Sequence, residues 1–182
     1  MVNIAFDRTT ADRVKAFVDN VGTFNRKSGG NGSPVMQMRG FYAEAVTKLW
    51  LGFTEEEAFS FERVQGWDKG VDFVSDGLKW DIKCKSYARQ TTPSAHHQTL
   101  IPQAQVEGRG YESDAYLFTS YNRETGELCI FGTLDKEQAK DAQLVRKGQE
   151  YTAGNETHIG RMDSYNPFYS DMKPVNTPAD IH

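Results

Sequence analysis

The 182-residue chain has only two cysteines, Cys84 and Cys129, and they lack the close spacing of a zinc ligand pair. That argues against a disulfide-stapled scaffold and a zinc-finger-type site. Both cysteines fall in predicted strands, where free thiols of a reducing compartment are the expectation. No apolar run approaches the length of a membrane span, and the opening "MVNIAFDRTT" lacks the basic start and apolar stretch of a signal peptide. A cytoplasmic protein with no membrane partner is therefore expected. Excess positive charge is absent too: 21 Lys and Arg stand against 25 Asp and Glu, a net charge of −4. A simple nucleic-acid coat protein would be basic. An enzyme acting on nucleic acid stays admissible, because divalent metals and a local basic patch can supply the charge. There is no internal repeat and no clean domain boundary.

What is present is an ordinary globular composition, 38% hydrophobic and 25% charged, over a length able to bury a core as one domain, residues 1–182. Helical spacing of Val14, Phe17, Val18 and Val21 predicts a helix over 9–21, capped by Thr9 or Thr10 and ended by Gly22. "NRKSGGNGSP" reads as a flexible linker, so that 1–33 form an N-terminal helix and a Gly-rich connection. A second helix is expected over 35–51, its stripe of Met38, Phe41, Tyr42, Ala45, Val46 and Leu49 facing a core and Glu44 at its margin. Residues 58–65 suggest a strand, 98–108 a short helix holding Gln103 and Gln105, and 135–147 a further helix. "SDAYLFTSY" and "ELCIFGTL" read as two more strands. The tail, 148–182, is polar and Pro-containing, expected to wrap the surface or remain partly disordered. Helices mixed with antiparallel hairpins imply an α/β or α+β fold, a central mixed sheet flanked by helices, with its core over about 35–134.

The chemistry gathers in "GVDFVSDGLKWDIKCKS", residues 70–86. Asp76-Gly77 is a strong two-residue hairpin turn. Pairing through it sets Phe73 opposite Trp80 and Asp72 opposite Asp81. One face then bears Phe73, Trp80, Ile82 and Cys84; the other bears Asp72, Asp81, Lys83 and Lys85. Like charges directly opposite one another destabilise a hairpin unless something offsets them. A hard divalent cation would do so, since Mg2+ takes one or two carboxylates plus substrate phosphate. Two carboxylates, a metal and the Lys83 ammonium suit phosphodiester hydrolysis by activated water. The competing reading is a solvated hairpin whose charges serve solubility, with Lys83 neutralising the acids in a surface cluster.

"GVD" followed by "DIK", after a helix carrying a Glu in "GFYAEAVTKLWLG", resembles the PD-(D/E)XK nuclease superfamily. The resemblance covers about residues 35 to 122, and it departs from the literal motif in having Val71 before Asp72. It implies a restriction-endonuclease-like core and a Mg2+-dependent deoxyribonuclease, an endonuclease rather than an exonuclease, in which Mn2+ can substitute. Asp72, Asp81, the Ile82 carbonyl and Glu44 are the implied metal ligands, and Lys83 the catalytic lysine. Lys85 and Gln105 are the candidate nucleic-acid contacts, Gln105 matching a glutamine of the RecB-like branch whose Tyr four residues on is Arg109 here. Double-stranded DNA is the implied partner, with a homodimer as the arrangement that cuts both strands. The tail "LVRKGQEY…SYNPFYSDMKPV" is similar to phage-encoded nucleases, which would place the protein in a host cytoplasm. A catalytically inactive module of the same fold, binding nucleic acid or protein in an anti-defence or regulatory role, is the alternative. His96 and His97 lack a partner at metal spacing, and Trp50, Trp67 and Trp80 read as core or turn residues.

Overall fold

A computed structural model describes residues 1–21, 33–63, 69–89, 92–108, 110–153 and 156–181. The expected Gly-rich connection, the Gly22 cap, Trp67 and Arg109 fall outside these residues. The chain opens with β1 (Val2–Ile4), α1 (Arg8–Val21) and α2 (Pro34–Trp50). Asp7, rather than Thr9 or Thr10, caps α1: its Oδ1 accepts from the Thr9 N–H at 2.9 Å and its Oδ2 from the Thr10 hydroxyl at 2.7 Å. These bonds, the Thr10 hydroxyl first, hold the Asp7 carboxyl below its usual pKa. Ser33 caps α2, with Pro34 inside the first turn.

The strand expected over 58–65 is corrected. α3 (Glu55–Ala58) and a 3-10 turn (Ser60–Arg63) occupy that stretch up to 63, and residues 64 and 65 lie outside the described residues. The cause is a capping box at Thr54, whose hydroxyl accepts from the Glu57 N–H while the Glu57 carboxylate accepts from the Thr54 N–H. That local bonding outweighs the alternation of Phe59 and Phe61, which both turn into the core.

β2 (Phe73–Ser75) and β3 (Leu78–Tyr87) form the hairpin, turned at Asp76 (φ +48°) and Gly77 (φ +80°). Two successive positive φ values are those of the turn that matches strand twist. Beyond it come β4 (Ile101–Pro102), α4 (Gln103–Val106), β5 (Ala115–Asn122), β6 (Leu128–Asp135) and α5 (Lys136–Lys140). The helices expected over 98–108 and 135–147 are thus each about a turn long. Short strands follow: β7 (Leu144–Val145), β8 (Glu150–Ala153), β9 (Glu156–Ile159), β10 (Ser164–Tyr165) and β11 (Lys173–Pro174).

The main sheet runs β1-β6-β5-β3-β2, with β11 also on β6. It is mixed, because β3 and β5 are parallel while its other pairs are antiparallel. β1 and β11 share one edge of β6, so segments from the two ends of the chain cover it together, and the terminal ammonium donates to the Asn176 Oδ1 at 2.6 Å. The tail lies on the surface over much of 148–163, but its last part enters the core, with Tyr169, Met172, Val175 and Ile181 all buried.

Strand alternation gives the sheet two apolar faces. Val14, Phe17, Tyr42 and Val46 of the helices pack on Phe73, Trp80, Leu117, Leu128 and Ile130. On the opposite side Tyr116, Phe118, Cys129 and Phe131 meet Ile101, Val106, Tyr169 and Met172. Both cysteines are free thiols; burial pushes that of Cys84 up to about 11.

Candidate functional site

β2 and β3 pair at Phe73–Trp80, Val74–Lys79 and Ser75–Leu78, the register expected from the turn. The expected rung between Asp72 and Asp81 does not form. The Asp72 N–H donates instead to the Trp80 carbonyl at 2.8 Å, one residue short of that rung. Its carboxylate turns onto the edge of β3, where Oδ2 accepts from the Ile82 N–H at 2.6 Å. A strand residue presents its N–H and C=O to the same side, so the Ile82 carbonyl faces that edge too.

Asp81 points to the face shared with the second apolar cluster. It pairs in register with Tyr116 of β5, as Lys83 does with Phe118. Asp81 is only 5% exposed, so it does not face open solvent as the competing reading expects, although the neutralisation by Lys83 that this reading names is present. Its Oδ2 accepts from the Lys83 ammonium at 2.6 Å. Gly70, at φ +73°, closes over the carboxylate: a Cβ there would lie 3.3 Å from Asp81 Oδ2 and 2.8 Å from Tyr111 Cδ1. The site thus needs a residue without a side chain at that turn.

Two residues that the motif does not include complete this neighbourhood. Tyr116 lies beside Asp81 and Lys83, with the ammonium 5.8 Å from its ring centroid. Burial, with the Asp81 charge adding to it, holds the phenol above its usual pKa, against the opposing effect of the neighbouring Ser113 hydroxyl. Tyr116 Oη and Ser113 Oγ are both fully buried, and neither makes a well-formed hydrogen bond. Tyr116 is found only through the parallel β3–β5 register; from the sequence its one trace is a tyrosine alternating with Phe118 on a buried strand.

The remaining expected residues are placed as follows. Glu44 of α2 accepts from Lys48 at 2.5 Å in a buried i,i+4 ion pair, and Lys48 also donates to the Ser60 hydroxyl at 3.3 Å. Lys85 lies on the Asp81 face, and its ammonium donates to the Gln98 carbonyl at 2.7 Å. Gln105 is half-buried on α4, which packs on that same face through Val106, and its Oε1 has no hydrogen-bond partner. His97 stacks on Tyr87 with ring centroids 5.4 Å apart, beside His96.

Among the described residues no group of three or more His, Cys, Asp or Glu side chains is set out to hold a metal ion, so Glu44 does not complete a three-acid set with Asp72 and Asp81. Asp72 and Asp81 are of the donor type and number that a hard divalent ion takes before filling its shell with water and phosphate oxygens, with Asp72 Oδ2 on the Ile82 N–H and Asp81 Oδ2 on the Lys83 ammonium. They do not fit a cage built wholly of protein ligands. Among the described residues no helix is long and apolar enough to cross a membrane. The chain matches no protein-family model, no curated protein and no solved structure.

Proposed function

We propose that the protein is a metal-dependent nuclease of the PD-(D/E)XK kind, with a restriction-endonuclease-like core, hydrolysing phosphodiester bonds in double-stranded DNA. The observation that carries this reading is the ion pair of the buried Asp81 with the partly buried Lys83, beside the Asp72 carboxylate at the edge of β3. A pair this enclosed loses hydration that its mutual attraction only partly offsets, and well-packed apolar residues would stabilise the fold as well or better. Charges kept at such a cost are candidates for chemistry.

In this reading Asp72, Asp81 and the Ile82 carbonyl would hold Mg2+ or Mn2+, which would supply Lewis-acid polarisation of the phosphoryl group and activation of water. Lys83, released from Asp81, orients that water or stabilises the charge developing on phosphate. Glu44 joins only by leaving Lys48, and Lys85 reaches phosphate only by leaving the Gln98 carbonyl.

Cleavage of plasmid and linear duplex DNA is expected with Mg2+ or Mn2+ and not with EDTA, and is expected to be lost in Asp81→Ala and Lys83→Ala. Activity that survives both substitutions refutes the assignment. The second reading, an inactive module of the same fold that binds nucleic acid or protein, draws on the engagement of Lys83, Glu44 and Lys48 in ion pairs. It predicts no cleavage and no Mn2+ binding by calorimetry.

A further inference from the structure

We infer that the Lys69–Gly70 turn and the Tyr111 ring form a cover over Asp81, latched by Glu112, which controls how readily a divalent ion enters. The inference rests on the metal-site reading of Asp72 and Asp81 and adds a means of access to it.

An ion that draws on the buried Asp81 must pass what encloses it. A Cβ built on Gly70 would come to 3.3 Å from Asp81 Oδ2 and to 2.8 Å from Tyr111 Cδ1, so the turn touches both the carboxylate and the ring. Residues 69, 70 and 111 thus close one side of the site.

Glu112 holds this cover down. Its carboxylate takes the Lys69 ammonium on Oε1 and the Lys79 ammonium on Oε2, the latter at 2.8 Å. Its N–H donates to the Lys69 carbonyl at 3.0 Å. Asp114, two residues on, is fixed to the hairpin: its N–H donates to the Lys79 carbonyl at 2.7 Å, and its Oδ2 accepts from the Lys79 N–H at 2.9 Å. Glu112 therefore clasps the Lys69 turn to an anchored strand.

Two features make the clasp releasable. The Lys69, Lys79 and Glu112 side chains are all exposed, and exposed ion pairs hold weakly and are screened by salt. Lys69 also sits at φ +59°, a left-handed conformation that a residue with a side chain keeps only where its surroundings impose it. Freed from Glu112, Lys69 gains by leaving that conformation, and the turn lifts from Asp81.

The test is stopped-flow and calorimetric titration of the full chain with Mn2+, without DNA, on Glu112→Gln, with urea unfolding to confirm the fold. Charge alone predicts slower and weaker binding, because the variant loses an acid near the site and leaves Lys69 and Lys79 to repel the ion. The latch predicts the opposite sign, since a larger open fraction raises the apparent affinity and the association rate. A gain of about 2- to 30-fold is expected at low salt, the equivalent of two exposed ion pairs, and should shrink as NaCl screens the wild-type latch. Tyr111→Ala uncovers the same side without altering charge and should act in the same direction. Glu137→Gln, which breaks an exposed pair with Lys140 on α5, is the control and should give no gain. Mn2+ affinity and rate at or below wild type in a folded Glu112→Gln, where Asp81→Asn abolishes binding, overturn the latch and leave the metal site standing. A wild-type chain that binds no Mn2+ overturns both.

Discussion

Replacing Lys48 by methionine should destabilise the protein by about 3–5 kcal/mol, the range for breaking a buried ion pair on one side only. The magnitude follows from where the charges sit. The Lys48 side chain is 2% exposed and that of Glu44 11%, with 2.5 Å between them. Methionine fills most of the space of the lysine stem but strands a carboxylate without its cation, and the Ser60 hydroxyl loses the ammonium at 3.3 Å. For a domain of this size each kcal/mol lowers Tm by roughly 2–4 °C, so a fall of about 6–20 °C is expected. Urea unfolding should show a reduced midpoint at an unchanged slope. The double variant Glu44→Leu/Lys48→Met should recover most of the loss, because apolar replacement of both partners is often neutral or stabilising.

The same variant separates the two roles open to Glu44. As a metal ligand, Glu44 would be freed by Lys48→Met, and Mn2+ would raise the stability of the variant more than that of the wild type. As a structural partner of Lys48, it leaves the two proteins raised by the same amount, which is the expected outcome. A loss below about 1 kcal/mol in Lys48→Met would refute the reasoning, since no buried pair of this kind breaks so cheaply.

Gly70→Ala forces a left-handed φ on a residue with a side chain and drives its Cβ to 2.8 Å from the Tyr111 ring. The backbone and overpacking costs together come to roughly 2–5 kcal/mol in urea unfolding, and a loss under about 1 kcal/mol would contradict the closed turn over Asp81. His97 has its pKa lowered from the usual 6.5 by burial, then by His96 and Lys85, and its Nδ1 accepts from the Ser94 N–H at 3.2 Å. The native state thus binds the proton less well than the unfolded chain. This stability is fully present above pH 6.5 and is lost as pH falls below it. His97→Phe keeps the contact with Tyr87 and should shrink the drop in unfolding free energy between about pH 7.5 and 5.5; equal drops in both proteins would exclude His97 as the cause.

The parts legible in the sequence are those whose signals are local. Asp76-Gly77 encodes its own turn, which sets the three-rung register and the sorting of Trp80 and Ile82 away from Asp81 and Lys83. The stripes of α1 and α2 and the apolar runs of β5 and β6 need no partner to be recognised. What escaped depends on distant pairing. β11 is two residues long and exists because β6 offers it an edge, and β1 is recruited the same way at the other end of the chain. The neighbourhood of Tyr116 and Asp81 is set by a parallel register across a crossover of more than twenty residues, which no local pattern specifies. The Thr54–Glu57 capping box is a local signal too, and the strand expected over 58–65 overlooked it.

That the Asp81 face is covered changes what the charged hairpin means. On an open face Asp81 and Lys83 would need no explanation, since exposed pairs contribute little either way. Beside Tyr116 and Phe118 they are a largely desolvated pair that the fold would hold as well or better as apolar residues, and the buried, unpartnered Tyr116 hydroxyl adds a second cost of the same sort. Purely structural residues give no reason for two such costs to fall at one place. A functional site does, because a fold can carry local instability where preorganised charge is required. The mark of that origin is a shared sign: apolar replacement of Asp81 together with Lys83 should leave the fold as stable or more so while removing Mn2+ binding. Lys48 and Glu44 carry the opposite mark, since losing one of them weakens the fold and should leave the ion site untouched.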